Sequence, residues 1–75
     1  MSERVAAVIG AGGGLGRATA EALATAGYTV VGVDRNEEGL KELSDGIRRK
    51  AGDATDPAAA KSLIDQIAAE VGPPE

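Results

Sequence analysis

The sequence predicts an α/β fold of order β-α-β-α-β-α, with three parallel strands in the order 3-2-1 flanked by helices. Three observations carry that prediction. An apolar run, Val5-Ala6-Ala7-Val8-Ile9, leads straight into Gly10-Ala11-Gly12-Gly13-Gly14-Leu15-Gly16 and then into a helical pattern. A second, β-branched run, Thr29-Val30-Val31-Gly32-Val33, ends at Asp34. Asp56-Pro57 then opens a third helical pattern, with Asp suited to cap and Pro to occupy the first helical position.

Taken in order, residues 4–9 read as a buried parallel strand because the apolar run is nearly continuous. Leu15, Ala18, Thr19, Ala22, Leu23 and Ala26 follow helical spacing, and Gly27 stands where a C-terminal cap belongs. Residues 29–34 form the second strand. Asn36 caps a short helix with Leu40, Leu43 and Ile47 on its apolar side, and Gly39 weakens that helix. Ser44-Asp45-Gly46 is a turn signal. Residues 47–52 are expected as a third strand. Arg48-Arg49-Lys50 would suit a solvated sheet edge, where charge blocks unwanted pairing. Ala60, Leu63, Ile64, Ile67, Ala68 and Val71 form the core stripe of the last helix, which Gly72-Pro73-Pro74 stops. Right-handed crossovers put the first two helices on one sheet face and the last on the other.

Composition narrows the function. A chain of 75 residues allows one small domain, burying only about 60% of its unfolded surface. Tyr28 is the single aromatic residue, so Ala, Val, Leu and Ile must build the core. A net charge of −4 argues against nucleic acid or an anionic membrane as partner. Cysteine and histidine are both absent, which removes disulfides, thiolate metal sites and the commonest general base. No metal site and no catalytic residue is assigned. The N-terminus carries Glu3 and lacks a signal-peptide pattern, and no run approaches the ~20 apolar residues of a membrane span. A cytoplasmic protein is expected.

The glycine segment carries the chemistry. Strand, glycine turn and helix start together make an anion cradle: glycines admit a phosphate without a Cβ in the way, and the helix start offers free N–H groups. Asp34, 18 positions after Gly16, falls about where an acid meets a ribose hydroxyl in a dinucleotide fold. A partial Rossmann fold follows, with residues 1–75 as the N-terminal half of one dinucleotide-binding domain and no second domain. Candidate cofactor contacts are Gly10, Gly12, Gly13, Gly14, Leu15, Gly16, Asp34, Arg35, Asp53 and Ala54. Arg35 would suit a 2′-phosphate, but Asp34 would repel one, so NAD is expected over NADP.

These residues resemble the N-terminal part of the short-chain dehydrogenase/reductase family. The family pattern Gly-x-x-x-Gly-x-Gly is matched by Gly10, Gly14 and Gly16, followed by Arg17-Ala18-Thr19-Ala20. Asp34 occupies the position that, by this resemblance, chooses between NAD and NADP, and an acid there implies NAD. Asp53-Ala54-Thr55-Asp56 is similar to the family's Asp-Val-Thr-Asp, whose first Asp and following N–H contact adenine. The resemblance spans essentially the whole chain. Ile9 departs from the family's usual Thr before the first glycine. The family's catalytic Ser, Tyr and Lys would lie beyond residue 75, as would a fourth strand beside the first. Tyr28 has no Lys four positions on.

Other readings remain open on the residues alone. One is a stand-alone adenine-nucleotide-binding module without catalysis. Another is a non-binding remnant. A third is an S-adenosylmethionine-binding methyltransferase fragment, because Gly10-Ala11-Gly12-Gly13-Gly14 also fits Gly-x-Gly-x-Gly; Val8 stands where those enzymes usually carry an acid. A P-loop is excluded, since Arg17-Ala18 follows Gly16 where Lys-Ser/Thr would be needed. The first strand, left as an apolar edge, is expected to pair with another copy or with a completing C-terminal part.

Overall fold

The structure, a computed structural model, describes residues 4–72. The elements run β1 (Val5–Ile9), α1 (Gly14–Thr25), β2 (Thr29–Asp34), α2 (Glu37–Leu40), β3 (Arg48–Ala51) and α3 (Pro57–Glu70). The strands form one parallel sheet in the order β1-β2-β3. Val5 pairs with Thr29, and Val31 with Arg48.

Alternation along the strands splits the apolar residues between two faces. Val8 and Val30 pack with Ala20 of α1 and with Leu40, Leu43 and Ile47. Val5, Val31 and Val33 pack with Leu63 and Ile67 of α3 on the other face. β2, in the middle, is therefore covered on both sides.

The helices depart from the sequence expectation in which side they bury. In α1 the inward residues are Ala20, Leu23 and Ala24, while Leu15, Ala18, Thr19, Ala22 and Ala26 face out. Alanine recurs at positions 18, 20, 22, 24 and 26, so both sides of the helix are nearly equally apolar. The choice is made by Gly16, whose position against the Gly10 carbonyl leaves no space for a Cβ. In α3 the stripe is narrower than expected: Leu63 and Ile67 are buried, while Ile64 and Ala68 stay exposed.

Caps fall where the sequence puts them. Gly27, at φ +100°, follows α1. The N–H groups of Gly27 and Tyr28 donate to the carbonyls of Ala24 and Leu23 at 3.1 Å each, the bond pattern of a Schellman motif. Asn36 Oδ1 accepts from the Gly39 N–H at 3.3 Å, and Asp56 Oδ2 from the Ala59 N–H at 3.2 Å. Gly72 takes φ +114° after α3, while Pro73 and Pro74 lie outside the described residues.

The Leu40, Leu43 and Ile47 spacing does not belong to one helix. α2 ends at Leu40 and turns carry the other two side chains, yet all three are buried. β3 is an edge strand as expected, and Arg48 and Arg49 are exposed as the solvated reading requires, while Lys50 is half-buried. Arg49 folds back over α2 and the following turn. Its Nε donates to the Leu40 carbonyl at 2.8 Å and its Nη2 to the Leu43 carbonyl at 2.5 Å. Lys50 reaches Glu70 of α3 at 2.6 Å. The Leu40 carbonyl, which also accepts from the Leu43 N–H at 3.1 Å, and the Leu43 carbonyl are thus both met by a guanidinium from the next strand.

Candidate functional site

The site forms at the C-terminal ends of the strands. The glycine loop leaves β1 with Gly10 at φ +80°, a conformation that favours glycine. It is tied to β2 at once: the N–H groups of Gly10 and Ala11 both donate to the Val33 carbonyl, at 2.7 and 3.2 Å. Ala11 is fully buried and anchors the loop in the core.

The loop then turns into α1. Gly13 caps the helix without a side-chain bond, and no acidic residue lies in the first turn. The first intrahelical bond runs from the Arg17 N–H to the Gly13 carbonyl at 2.8 Å. The amides of Gly14, Leu15 and Gly16 therefore precede the helical ladder, at the positive end of the helix dipole. A Cβ at Gly14 would meet nothing within 4 Å, and Leu15 is 84% exposed. The loop presents backbone to open space.

Asp34 ends β2 beside this loop. Its Oδ2 accepts from the Gly12 N–H at 2.9 Å and its Oδ1 from the Asn36 N–H at 3.0 Å. These backbone donors, Asn36 first, hold its carboxyl below the usual Asp range, assisted by the neighbouring Arg35 charge. The group is therefore an ionised acceptor at neutral pH.

Asp53 follows β3. Its Oδ1 accepts from the Thr55 hydroxyl at 2.5 Å and the Thr55 N–H at 2.9 Å, and these bonds, the hydroxyl first, lower its pKa. The Arg35 guanidinium lies 3.8 Å from Asp53 Oδ2, bridging the ends of β2 and β3. Gly10, Asp34, Arg35, Asp53 and Ala54 line one cavity of about 150 Å³. A second cavity of about 210 Å³ shares Ile9, Val33 and Ala54 and is walled by Leu63 and Ile64.

The structure thus gathers every candidate contact at one end of the sheet. Gly10, Asp34, Arg35, Asp53 and Ala54 share a cavity, Gly12 joins them through Asp34, and Gly13, Gly14, Leu15 and Gly16 form the adjoining helix start. Sequence reasoning missed Thr55, which orients Asp53, and the apolar walls Ile9 and Val33. Ile9 offered one signal, a strand-end apolar side chain that proves 56% exposed. Among the described residues there is no cluster of acidic side chains suited to a metal, and no helix is long and apolar enough to cross a membrane.

The sequence profile described as short chain dehydrogenase matches residues 4–73. The chain belongs to the short-chain dehydrogenase family. Its similarity to FabG, a 3-oxoacyl-(acyl-carrier-protein) reductase of Escherichia coli (strain K12), is 38% identity over 73 residues, covering 92% of this chain and 30% of FabG. Among solved structures, a short-chain dehydrogenase from Streptomyces avermitilis superposes with a TM-score of 0.87 at 34% identity, over 100% of this chain and 29% of that one. A 3-ketoacyl-(acyl-carrier-protein) reductase from Brucella melitensis, complexed with NADH, gives 0.85 at 29% identity, over 96% and 31%. The chain therefore spans about a third of these relatives or slightly less. Membership in the short-chain dehydrogenases also sets aside the methyltransferase reading of the glycine loop.

Proposed function

We propose that this chain is the adenosine-binding part of an NAD-dependent short-chain dehydrogenase. In this reading the backbone from Gly12 to Gly16 holds the pyrophosphate, with Gly10 and Gly13 shaping the turn. Asp34 accepts from the adenosine ribose hydroxyls, and Asp53 and the Ala54 N–H flank adenine. The observation that carries it is the 2.9 Å bond between Asp34 and the Gly12 amide, which sets a ribose acceptor and a phosphate loop side by side. The loop also fits the group it would hold. It offers helix-start amides with no competing acid in the first turn, and open space where a Cβ at Gly14 would lie.

NAD is favoured over NADP. A 2′-phosphate would face the ionised Asp34, and the one cation beside it, Arg35, leans toward Asp53. When bound, the nicotinamide cofactor supplies or accepts the hydride in this family's chemistry. The residues of this chain bind and orient it. Tyr28 does not serve as an acid, because it packs against the α1–α2 core and residue 32 is glycine. The 75 residues alone are therefore proposed not to turn over a substrate. The acidic, cysteine-free composition agrees with a cytoplasmic setting.

A backbone amide titration of the labelled chain tests this. NAD and AMP should shift Gly12–Gly16 and Asp34 similarly, with NADP weaker. No shifts in a well-dispersed spectrum would overturn it. Submillimolar binding of NAD or AMP would also favour a stand-alone adenine-nucleotide module over a non-binding remnant.

A further inference from the structure

Gly39 looks misplaced in the sequence, a helix-weakening residue inside a four-residue helix. The structure gives it a purpose. α2 lies with its backbone directly on the glycine loop. A methyl group at position 39 would collide with the Gly12 carbonyl oxygen and stand 2.9 Å from both the Gly12 carbonyl carbon and Cα. All three nearest atoms are backbone, so no side chain could swing aside.

The contact belongs to a closed circuit. Asp34 holds the Gly12 N–H and the Asn36 N–H, one with each oxygen. The Asn36 side chain accepts from the Gly39 N–H, and Gly39 returns to Gly12 through its bare Cα. Space is also tight at Gly12 itself: a Cβ there would stand 2.9 Å from Asp34 Oδ2 and 3.2 Å from the Asn36 carbonyl oxygen. Gly12 is thus fixed between a carboxylate and a helix backbone. Its amide points at Asp34, and the following residues run toward the helix start.

We propose that Gly39 is a positioning residue for the glycine loop, seating Gly12 so that the amides after it converge on one phosphate-binding position. The phosphate half of this statement rests on the nucleotide reading above; the seating of the loop does not. Helix propensity alone predicts that Gly39→Ala tightens α2, because Ala is the better helix former. The close approach predicts the opposite for the loop.

The test compares the wild-type chain, Gly39→Ala and the control Gly46→Ala by amide spectra and by titration with ADP and with adenosine. A Cβ at Gly46 meets open space, so that control should match wild type. Gly39→Ala should shift the amides of residues 10–16 while those of β1 and α3 stay in place. It should weaken ADP about tenfold or more, the scale of one lost hydrogen bond to a charged group, and adenosine far less. Unchanged loop amides, or equal losses for ADP and adenosine, would overturn the proposal. If the wild-type chain binds neither compound, the nucleotide reading falls and the loop amides still decide the seating. If Gly39→Ala does not fold, the wild type decides. A nuclear Overhauser contact between the Hα protons of Gly39 and Gly12 is expected, and its absence would overturn the seating.

Discussion

Asp34 Oδ2 and the Gly12 N–H lie 2.9 Å apart, so one carboxylate both closes β2 and holds the first turn of the glycine loop. Replacing it removes two things together. Asp34→Asn would leave one acceptor oxygen for two backbone donors, so its NH2 group would be set against either the Gly12 N–H or the Asn36 N–H. NAD binding is expected to weaken about tenfold or more, the usual scale for lost charge-assisted bonds. NADP binding should not improve in compensation, because the loop proposed to hold its pyrophosphate is loosened as well. Titration of both dinucleotides into the variant checks this; a clean reversal of preference would contradict it.

Acid should destabilise the fold through three carboxylates. Glu21 is held below its ordinary 4.5 by the Ser44 hydroxyl first and the Ser44 N–H second, at 2.6 and 2.9 Å. Asp34 and Asp53 are held below 3.8, by the Asn36 N–H and the Thr55 hydroxyl respectively. A depressed folded-state pKa contributes stability that is present above the unfolded value and lost as pH falls through the folded one. Urea midpoints should therefore be level near neutrality and decline below about pH 4.5. Glu21→Gln should flatten the upper part of that decline. A midpoint that rises on acidification would exclude this account.

Arg49 is expected to matter more than an edge cation usually does. Its guanidinium serves the Leu40 and Leu43 carbonyls at 2.8 and 2.5 Å. Arg49→Ala should cost about 1–2 kcal/mol in chemical denaturation, the order of a charge-assisted bond to a backbone carbonyl. Arg49→Lys should recover little, since one ammonium cannot reproduce the planar fork. Arg48→Ala should be nearly neutral, and equal losses at 48 and 49 would sink the distinction.

β1 pairs with β2 along one side, and among the described residues its other side has no strand beside it. Its residues are apolar, and Ile9 is 56% exposed. Such an edge is a template for further pairing. The 75-residue chain is expected to self-associate through residues 5–9, seen as a concentration-dependent rise in sedimentation coefficient with slowed amide exchange there. A monodisperse monomer whose β1 amides exchange slowly would argue against it.

What the sequence made legible was whatever rests on local chemistry. β1, the glycine turn and β2 follow from run length and composition. Asn36 and Asp56 cap as their side chains dictate, and Gly27 closes α1 through its positive φ. The grouping of the candidate residues was readable for the same reason, because Gly10 to Gly16 and Asp34 sit at strand ends that parallel topology brings together. What stayed hidden depends on neighbours distant along the chain. The buried side of α1 could not be told from its alternating alanines, since the choice is made by Gly16 meeting Gly10. Arg49 is exposed as read, but nothing local reveals that α2 ends early and brings the Leu40 and Leu43 carbonyls within its reach. Gly39 read as a weakness because the loop that needs its bare Cα lies 27 positions earlier.

The sheet's connectivity also has a bearing on time. Thr29 meets Val5, and Arg48 meets Val31, so each strand pairing closes a crossover of roughly 20 residues before any ladder bond forms. No hairpin is available as a rapid nucleus. Contact order of this kind slows folding, while α1, whose bonds are local, forms and frays far faster. During synthesis β1 emerges before α1 and β2 and must wait for both, with its apolar edge exposed meanwhile. The step that ends that wait is the docking of β2, which covers one side of β1 and also brings Asp34 to Gly12, so the glycine loop takes shape in the same event that gives the first strand its partner.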